Sequence, residues 1–309
     1  MDIFESDNND RPVKLDFSFN HNVLVVGGSG SGKSFLSRYF TTQTDFIPKM
    51  SIVYRHSDLG KQKKGYSLKD LRPGLMEKTK NNFIDSFVLS SQISNTGIMA
   101  SYIPFILSHL SGSSIPDLLK SASVFKAENS ILDGSVLFVK SMLDHFYPVR
   151  YDKKSKKMKL IEILPIDRFS FSDRDYWFLF DNLDYSESLF FSEYLLRVAF
   201  EQKLGNLYID EFHRLAKFPN SIVGRLLREY RTIGSLWCVS QSLSDIDPGL
   251  LNNFGTILVF NSISPLDLEI LRKIDDRLPL RVSSLLPYEF INLRDYLGRK
   301  VVNNPYILR

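Results

Sequence analysis

The sequence predicts a doubly wound, mainly parallel α/β fold with a largely helical insertion. Short, continuously apolar runs recur toward both ends of the chain, and the first of them passes through a glycine-rich loop into a helical pattern. The stretch between the two ends has helical periodicity and few strand signals. Strands of a parallel sheet are covered on both faces, so they read as unbroken apolar runs rather than alternating ones. The 309 residues are 43% hydrophobic and 13% aromatic, enough to build such a core and too apolar for a disordered or low-complexity chain. The expected division is a core of residues 1–65 and 166–309, with a mostly helical insertion at 66–165 that carries a basic hairpin.

In chain order, Val13, Leu15, Phe17 and Phe19 alternate with polar neighbours as in a half-buried strand, and Asn20, His21 and Asn22 read as a turn. Val23 to Val26 is the first buried strand. The glycine-rich loop follows it, and a helix starting near Lys33 carries Phe35, Leu36, Tyr39 and Phe40. Ile52 to Tyr54 is the next strand, and Ser67 to His145 is mainly helical. The run Ile98 to Leu110 is shorter than the roughly 18 residues of a membrane span. With Ser101, Pro104, Ser108 and His109 inside it, it reads as a buried helix. Tyr147 to Arg150 and Lys159 to Leu164 read as two strands joined by a lysine-rich turn. Tyr176 to Phe180 is a strand, followed by an amphipathic helix from about Ser186 to Gln202. Leu207 to Ile209, Leu236 to Ser240 and Thr256 to Phe260 are three further buried strands. There is no internal repeat.

Charge and cysteine content narrow the class. Lys and Arg number 39 against 35 Asp and Glu, and a net charge of +4 is too mild to announce a nucleic-acid partner by itself. Cys238 is the single cysteine, so there is no internal disulfide and no four-cysteine zinc site. Asp2, Glu5, Asp7 and Asp10 do not make a secretory signal, and a cytoplasmic protein is expected. None of the five histidines has metal-ligand spacing, His213 falls on the helix after Glu211, and Cys238 reads as core packing.

The sharpest signal is Gly27-Gly28-Ser29-Gly30-Ser31-Gly32-Lys33-Ser34, a complete G-x-x-x-x-G-K-[ST] phosphate loop between a buried strand and a helix. Glycines let successive N–H groups turn inward as an anion nest at a helix N-terminus. Lys33 brings a point charge to the β- and γ-phosphates, Ser34 offers a hydroxyl to Mg²⁺, and Phe35 completes the nucleotide-binding stretch. A chance match of this pattern is far rarer than a real one when strand and helix flank it, so the chain is expected to bind a nucleoside triphosphate. Downstream, the strand Leu207-Tyr208-Ile209 ends in Asp210-Glu211. An Asp there can hold the Mg²⁺ shell, and the next carboxylate can deprotonate the attacking water. The Asn-Lys-x-Asp motif of a GTPase is absent. Gln241, at the end of the Leu236 to Ser240 strand, can touch the γ-phosphate or the lytic water; the bland reading is a loop amide. Arg225, Arg228 and Arg231 precede Gly234. One of them could reach a neighbouring subunit's γ-phosphate, or all could be a solvated basic helix end.

Taken together, Gly27–Ser34, Asp181, Leu207–Leu215 and Arg228–Gln241 resemble the HerA/FtsK superfamily of ring-forming DNA-pumping ATPases. Tyr208-Ile-Asp-Glu-Phe-His-Arg-Leu215, Arg231-Thr-Ile-Gly-Ser-Leu-Trp-Cys-Val-Ser-Gln241 and Asn252-Asn-Phe-Gly-Thr-Ile-Leu-Val-Phe260 carry the likeness, over roughly 20–60 and 175–295. The resemblance implies a RecA-like core, roles for Lys33, Ser34, Asp210, Glu211 and Gln241 as above, and Arg231 as the preferred arginine finger with Arg228 second. It also implies a homo-oligomeric ring, a hexamer, with DNA as partner and an unidentified recruiting protein. The chain reaches its first core strand at Val23, so no N-terminal barrel and no membrane segment are expected. Tyr54-Arg55-His56-Ser57-Asp58 stands where many relatives carry an Asp-based motif. Both features move the expectation toward compact genome-packaging or plasmid-transfer ATPases, virus- or plasmid-encoded.

DNA contacts are expected from two lysine clusters, Lys61, Lys63 and Lys64, and Lys153, Lys154, Lys156, Lys157 and Lys159 at the hairpin tip. Phosphate contacts of this kind are sequence-independent and salt-sensitive; the plainer reading is a solvated turn. The alternative function is a nucleotide-dependent switch or scaffold that acts on protein partners and pumps nothing.

Overall fold

The computed structural model describes residues 3–5, 22–37, 48–54, 66–67, 71–74, 80–91, 98–147, 149–152, 154–160, 162–165, 175–180, 183–261, 264–293 and 306–308. The strand expected at Val13 to Phe19, Asn20, His21, Tyr39, Phe40, Arg55 to Asp58, Lys61, Lys63, Lys64, Lys153 and Asp181 lie outside the described residues. The chain divides into two compact units, Met1–Lys64 with Asp175–Trp177 and Lys203–Arg309, and Gly65–Arg174 with Phe178–Gln202.

In the first unit the sheet is built around Val23–Val26, every residue of which is buried. It pairs in parallel with Leu236–Ser240 on one side and Thr256–Phe260 on the other, placing Leu24 between Cys238 and Ile257. Leu207–Ile209 lies parallel to Leu236–Ser240 and to Met50–Val53, with Ile209 opposite Cys238 and Ile52. These runs carry Val, Leu and Ile on both faces, so alternation is lost. Burying each such side chain contributes about 1.5–3 kcal/mol. The fold is therefore the mainly parallel α/β architecture expected from the sequence. Beyond Thr256–Phe260 the sheet turns antiparallel, through Glu289–Asn292, Tyr306–Leu308 and Ile3–Glu5. Those three strands were not expected, because each is three or four residues long and none is continuously aliphatic.

Asn22 shows how polar groups fix this sheet. It is fully buried, and its amide donates to the Leu227 carbonyl at 3.0 Å while accepting from the Leu236 N–H at 3.3 Å. Its own carbonyl accepts from Gly255 and Thr256 at 3.0 and 3.2 Å, so one residue ties the entrance of the central strand to both neighbours.

The second unit is mainly helical: Lys80–Ser91, Ile98–His109, Ile115–Val124, Ser130–His145 and Tyr185–Glu201. An aromatic cluster joins the first and last of these, with Phe83 edge-on to Phe190 at 5.1 Å and Phe146 stacked on Phe190 at 4.7 Å. Ser114, Asn129 and Asp184 cap their helices, the last with Glu187 in a reciprocal capping box. The helix Ile98–His109 buries Ile103, Ile106 and Leu107 but leaves Phe105 48% exposed, so it is amphipathic rather than wholly buried. Among the described residues no helix is long and apolar enough to cross a membrane. The basic hairpin pairs Val149–Asp152 with Lys157–Leu160. The second strand expected at Lys159 to Leu164 is in fact two: Glu162–Pro165 leaves the hairpin and pairs in parallel with Leu71–Gly74.

Candidate nucleotide-binding site

The loop after Val26 is shaped by glycines at two points where a side chain would collide. A Cβ on Gly27 would lie 2.6 Å from the Phe260 Cβ, and one on Gly32, whose φ is +113°, would lie 3.0 Å from the Tyr288 ring. The loop is tied to its surroundings through the backbone. The Gly28 N–H donates to the Asn261 carbonyl at 2.9 Å, and the Tyr288 N–H donates to the Ser31 carbonyl at 2.9 Å. The helix begins at Lys33.

The Lys33 ammonium donates to the Gly27 and Gly28 carbonyls at 2.6 and 2.7 Å. Burial lowers its pKa from the ordinary lysine value, against the opposing pull of Glu211 and Asp210. Lys33 is thus a partly buried cation, faced by two carboxylates and held on its own loop's carbonyls.

Asp210 and Glu211 follow the strand Leu207–Ile209 in a tightly held turn. The Asp210 N–H donates to the Ile52 carbonyl at 2.9 Å, and the Phe212 N–H donates to the Val239 carbonyl at 2.7 Å. Between these pinned neighbours Glu211 is buried and takes a left-handed backbone, φ +48°. Such a conformation costs a non-glycine residue about 1–2 kcal/mol. It is sustained here by the sheet bonds on either side. The Gln241 amide donates to both oxygens of Glu211, at 2.7 and 3.0 Å. His213 Nδ1 lies 3.4 Å from the same carboxylate. Burial pushes the His213 pKa below the ordinary histidine value, opposed by Glu211 and Asp245 and reinforced by Arg214 and Lys217. The Arg214 guanidinium lies 4.7 Å from the centre of the Tyr54 ring.

These groups share one cavity of about 150 Å³, lined by Ser29, Gly30, Lys33, Ser34, Asp210, Glu211, Val239, Ser240 and Gln241. Residues chosen from three distant sequence segments thus meet at the carboxyl ends of adjacent parallel strands, where α/β sheets place ligands. Gly27 and Gly28 lie at the loop's base, Ser31 and Gly32 against Tyr288, and Phe35 outside on the first helical turn. Arg228 and Arg231 are exposed and do not line the cavity. Lys154, Lys156, Lys157 and Lys159 are exposed on the hairpin of the second unit.

Two residues near the site carried no local sequence signal. Asp267 is 1% exposed and accepts from the Ser242 hydroxyl at 2.6 Å and the Ser244 N–H at 2.9 Å, which fastens the loop leaving Gln241. Tyr288 reaches the phosphate loop from far along the chain.

The fold that carries this loop and this acidic turn is shared with solved structures at low sequence identity. VirB4 of Thermoanaerobacter pseudethanolicus is similar over 94% of this chain and 93% of its own, with a TM-score of 0.68 and 12% identity. The bacterial conjugative coupling protein TrwB, as a TrwBdeltaN70 trigonal form with sulphate, is similar over 88% of this chain and 82% of its own, with a TM-score of 0.60 and 15% identity. By sequence, no protein-family model and no curated protein matches the chain.

Proposed function

We propose that the chain is a Mg²⁺-dependent ATPase whose copies form a ring, a hexamer, and move DNA in genome packaging or conjugative transfer. The observation that carries this reading is the shared cavity of Lys33, Ser34, Asp210, Glu211 and Gln241. The triphosphate lies on the loop, where it draws the Lys33 ammonium away from the Gly27 and Gly28 carbonyls. Glu211 takes a proton from a water that attacks the γ-phosphorus; the bond to the β–γ bridging oxygen breaks, and ADP and phosphate leave. Gln241 occupies both Glu211 oxygens in the resting site, so a γ-phosphate oxygen that competes for its amide frees the base.

Ser34 and Asp210 suit Mg²⁺, since that ion is commonly held by one or two oxygen ligands together with substrate phosphates. When bound it supplies charge neutralisation at the β- and γ-oxygens. Arg231, with Arg228 second, is the arginine offered to a neighbour's site; their exposure outside the cavity supports a role across a subunit boundary. The exposed Lys154, Lys156 and Lys157, with Lys61, Lys63, Lys64 and Lys153, are the proposed DNA contacts, and a recruiting protein brings the motor to its substrate. The fold shared with a conjugative coupling protein supports a role in conjugative DNA transfer.

The test is steady-state ATP hydrolysis with and without DNA at low and moderate salt. Stimulation by DNA that weakens with salt is expected. Hydrolysis indifferent to DNA at every salt contradicts the motor reading and leaves a protein-directed switch or scaffold.

A further inference from the structure

The ring of His213 faces the Glu211 carboxylate, and none of the roles above uses it. Its Nδ1 lies 3.4 Å from Glu211 Oε2, just beyond hydrogen-bond length. That nitrogen is shut off from solvent and has no hydrogen-bond partner among the described residues. A buried polar atom left without a partner is rare, because its lost hydration goes uncompensated. The surrounding turn is not loose. The Phe212 N–H donates to the Val239 carbonyl at 2.7 Å, the Arg214 N–H donates to the Glu211 carbonyl at 2.9 Å, and Leu215 and Ala216 are buried. The ring is therefore carried on a pinned backbone, and its unmet bond calls for a partner gained in another state of the site.

Gln241 identifies that state. In the resting site its amide donates to both Glu211 oxygens, at 2.7 and 3.0 Å, so the carboxylate is already held. A γ-phosphate that takes the Gln241 amide removes both bonds at once. The terminal torsion of a glutamate has only a broad preference, so a carboxylate released in this way turns and loses its aim at the water. His213 Nδ1 is the neighbouring donor within reach of Oε2. We infer that His213 is a positioning residue: its Nδ1–H closes onto Glu211 Oε2 when Gln241 leaves, holding the carboxylate in line and leaving Oε1 for the water's proton. The closure shortens the present gap by only a few tenths of an ångström. A neutral ring is sufficient, with its proton on Nδ1. Burial disfavours the charged ring, as do Arg214 and Lys217, while Glu211 and Asp245 favour it. The outcome is a pKa below the ordinary histidine value, so the ring is neutral at about pH 7. The inference rests on the ATPase reading and gives its base a second holder.

The test measures kcat and KM for ATP on the full chain with Mg²⁺, for wild type, His213→Ala, His213→Asn and His213→Gln. The asparagine amide places its nitrogen close to where Nδ1 stands, whereas the glutamine amide reaches to where Nε2 stands. His213→Ala is expected to lower kcat about tenfold with KM unchanged, the scale of one hydrogen bond to a charged group. His213→Asn should recover most of that loss and His213→Gln should stay slow, a contrast that holds even where the alanine chain folds poorly. Added to Glu211→Gln, His213→Ala should change kcat by less than about twofold, because the base it positions is already gone. His213→Asn no faster than His213→Gln overturns the inference. An alanine effect that persists in full beside Glu211→Gln overturns it too, and leaves His213 as support for the turn. A wild-type chain that does not hydrolyse ATP overturns the ATPase reading and this inference with it, whereas wild-type turnover matched by His213→Ala overturns this inference alone.

Discussion

Glu211 sits where three local constraints meet: a left-handed backbone, the Gln241 amide on both its oxygens, and the His213 ring beside it. The histidine gives this residue-scale picture a pH signature. Because burial lowers the His213 pKa, the unfolded chain binds the proton first as pH falls. Stability therefore drops as pH goes below about 6.5, the unfolded value, and levels once the folded-state histidine also protonates. His213→Gln should flatten that acid-side loss. Melting temperatures of both chains between pH 5 and 8 check it, and parallel curves would remove His213 from the account. The acidic pair, the phosphate loop and Gln241 were legible because each is a motif of fixed residue types at the end of an apolar run. Tyr288 and Asp267 were not, since their importance comes only from what they touch.

At the scale of elements, the parallel core strands were legible almost to the residue, because continuous Val, Leu and Ile runs bounded by polar turns have few other homes. The antiparallel edge was not: Tyr306–Leu308 finds partners in Ile3–Glu5 and Glu289–Asn292, and no local pattern announces pairing between opposite ends of a chain. The partnership of Tyr185–Glu201 with Lys80–Ser91 was hidden for the same reason, since periodicity gives a helix its apolar face but not its neighbour. Two substitutions test how these elements hold the site. Asp267→Ala removes the carboxylate that accepts from the Ser242 hydroxyl and the Ser244 N–H, leaving those groups only the bonds between the two serines, and losing hydrogen bonds to a charged group costs about 1.5–3 kcal/mol. Denaturant unfolding should show that loss, and ATP turnover should fall more than ATP affinity because the loop carrying Gln241 loosens. Gly234→Ala places a methyl 2.5 Å from the Gly205 carbonyl oxygen, so the turn into Leu236–Ser240 must shift. Its melting temperature should fall by several degrees; an unchanged value would show that the two loops can part at no cost.

For the whole molecule, the proposed ring makes each active site a joint product of two copies. Arg231→Ala and Lys33→Ala should each hydrolyse ATP poorly alone, by about 10³-fold for the arginine. Mixed together, they should recover part of the activity, because some sites then pair an intact loop with an intact arginine. Recovery absent at every mixing ratio would place the arginine outside the site. The claim under all of this is that the cavity at Lys33, Asp210 and Glu211 hydrolyses ATP with Glu211 as its base. Its most direct measurement is ATP turnover by the Glu211→Gln chain beside wild type, with ATP affinity determined on the same samples. The account predicts turnover lower by about 10²–10⁴-fold with affinity nearly unchanged. Turnover equal to wild type would contradict it.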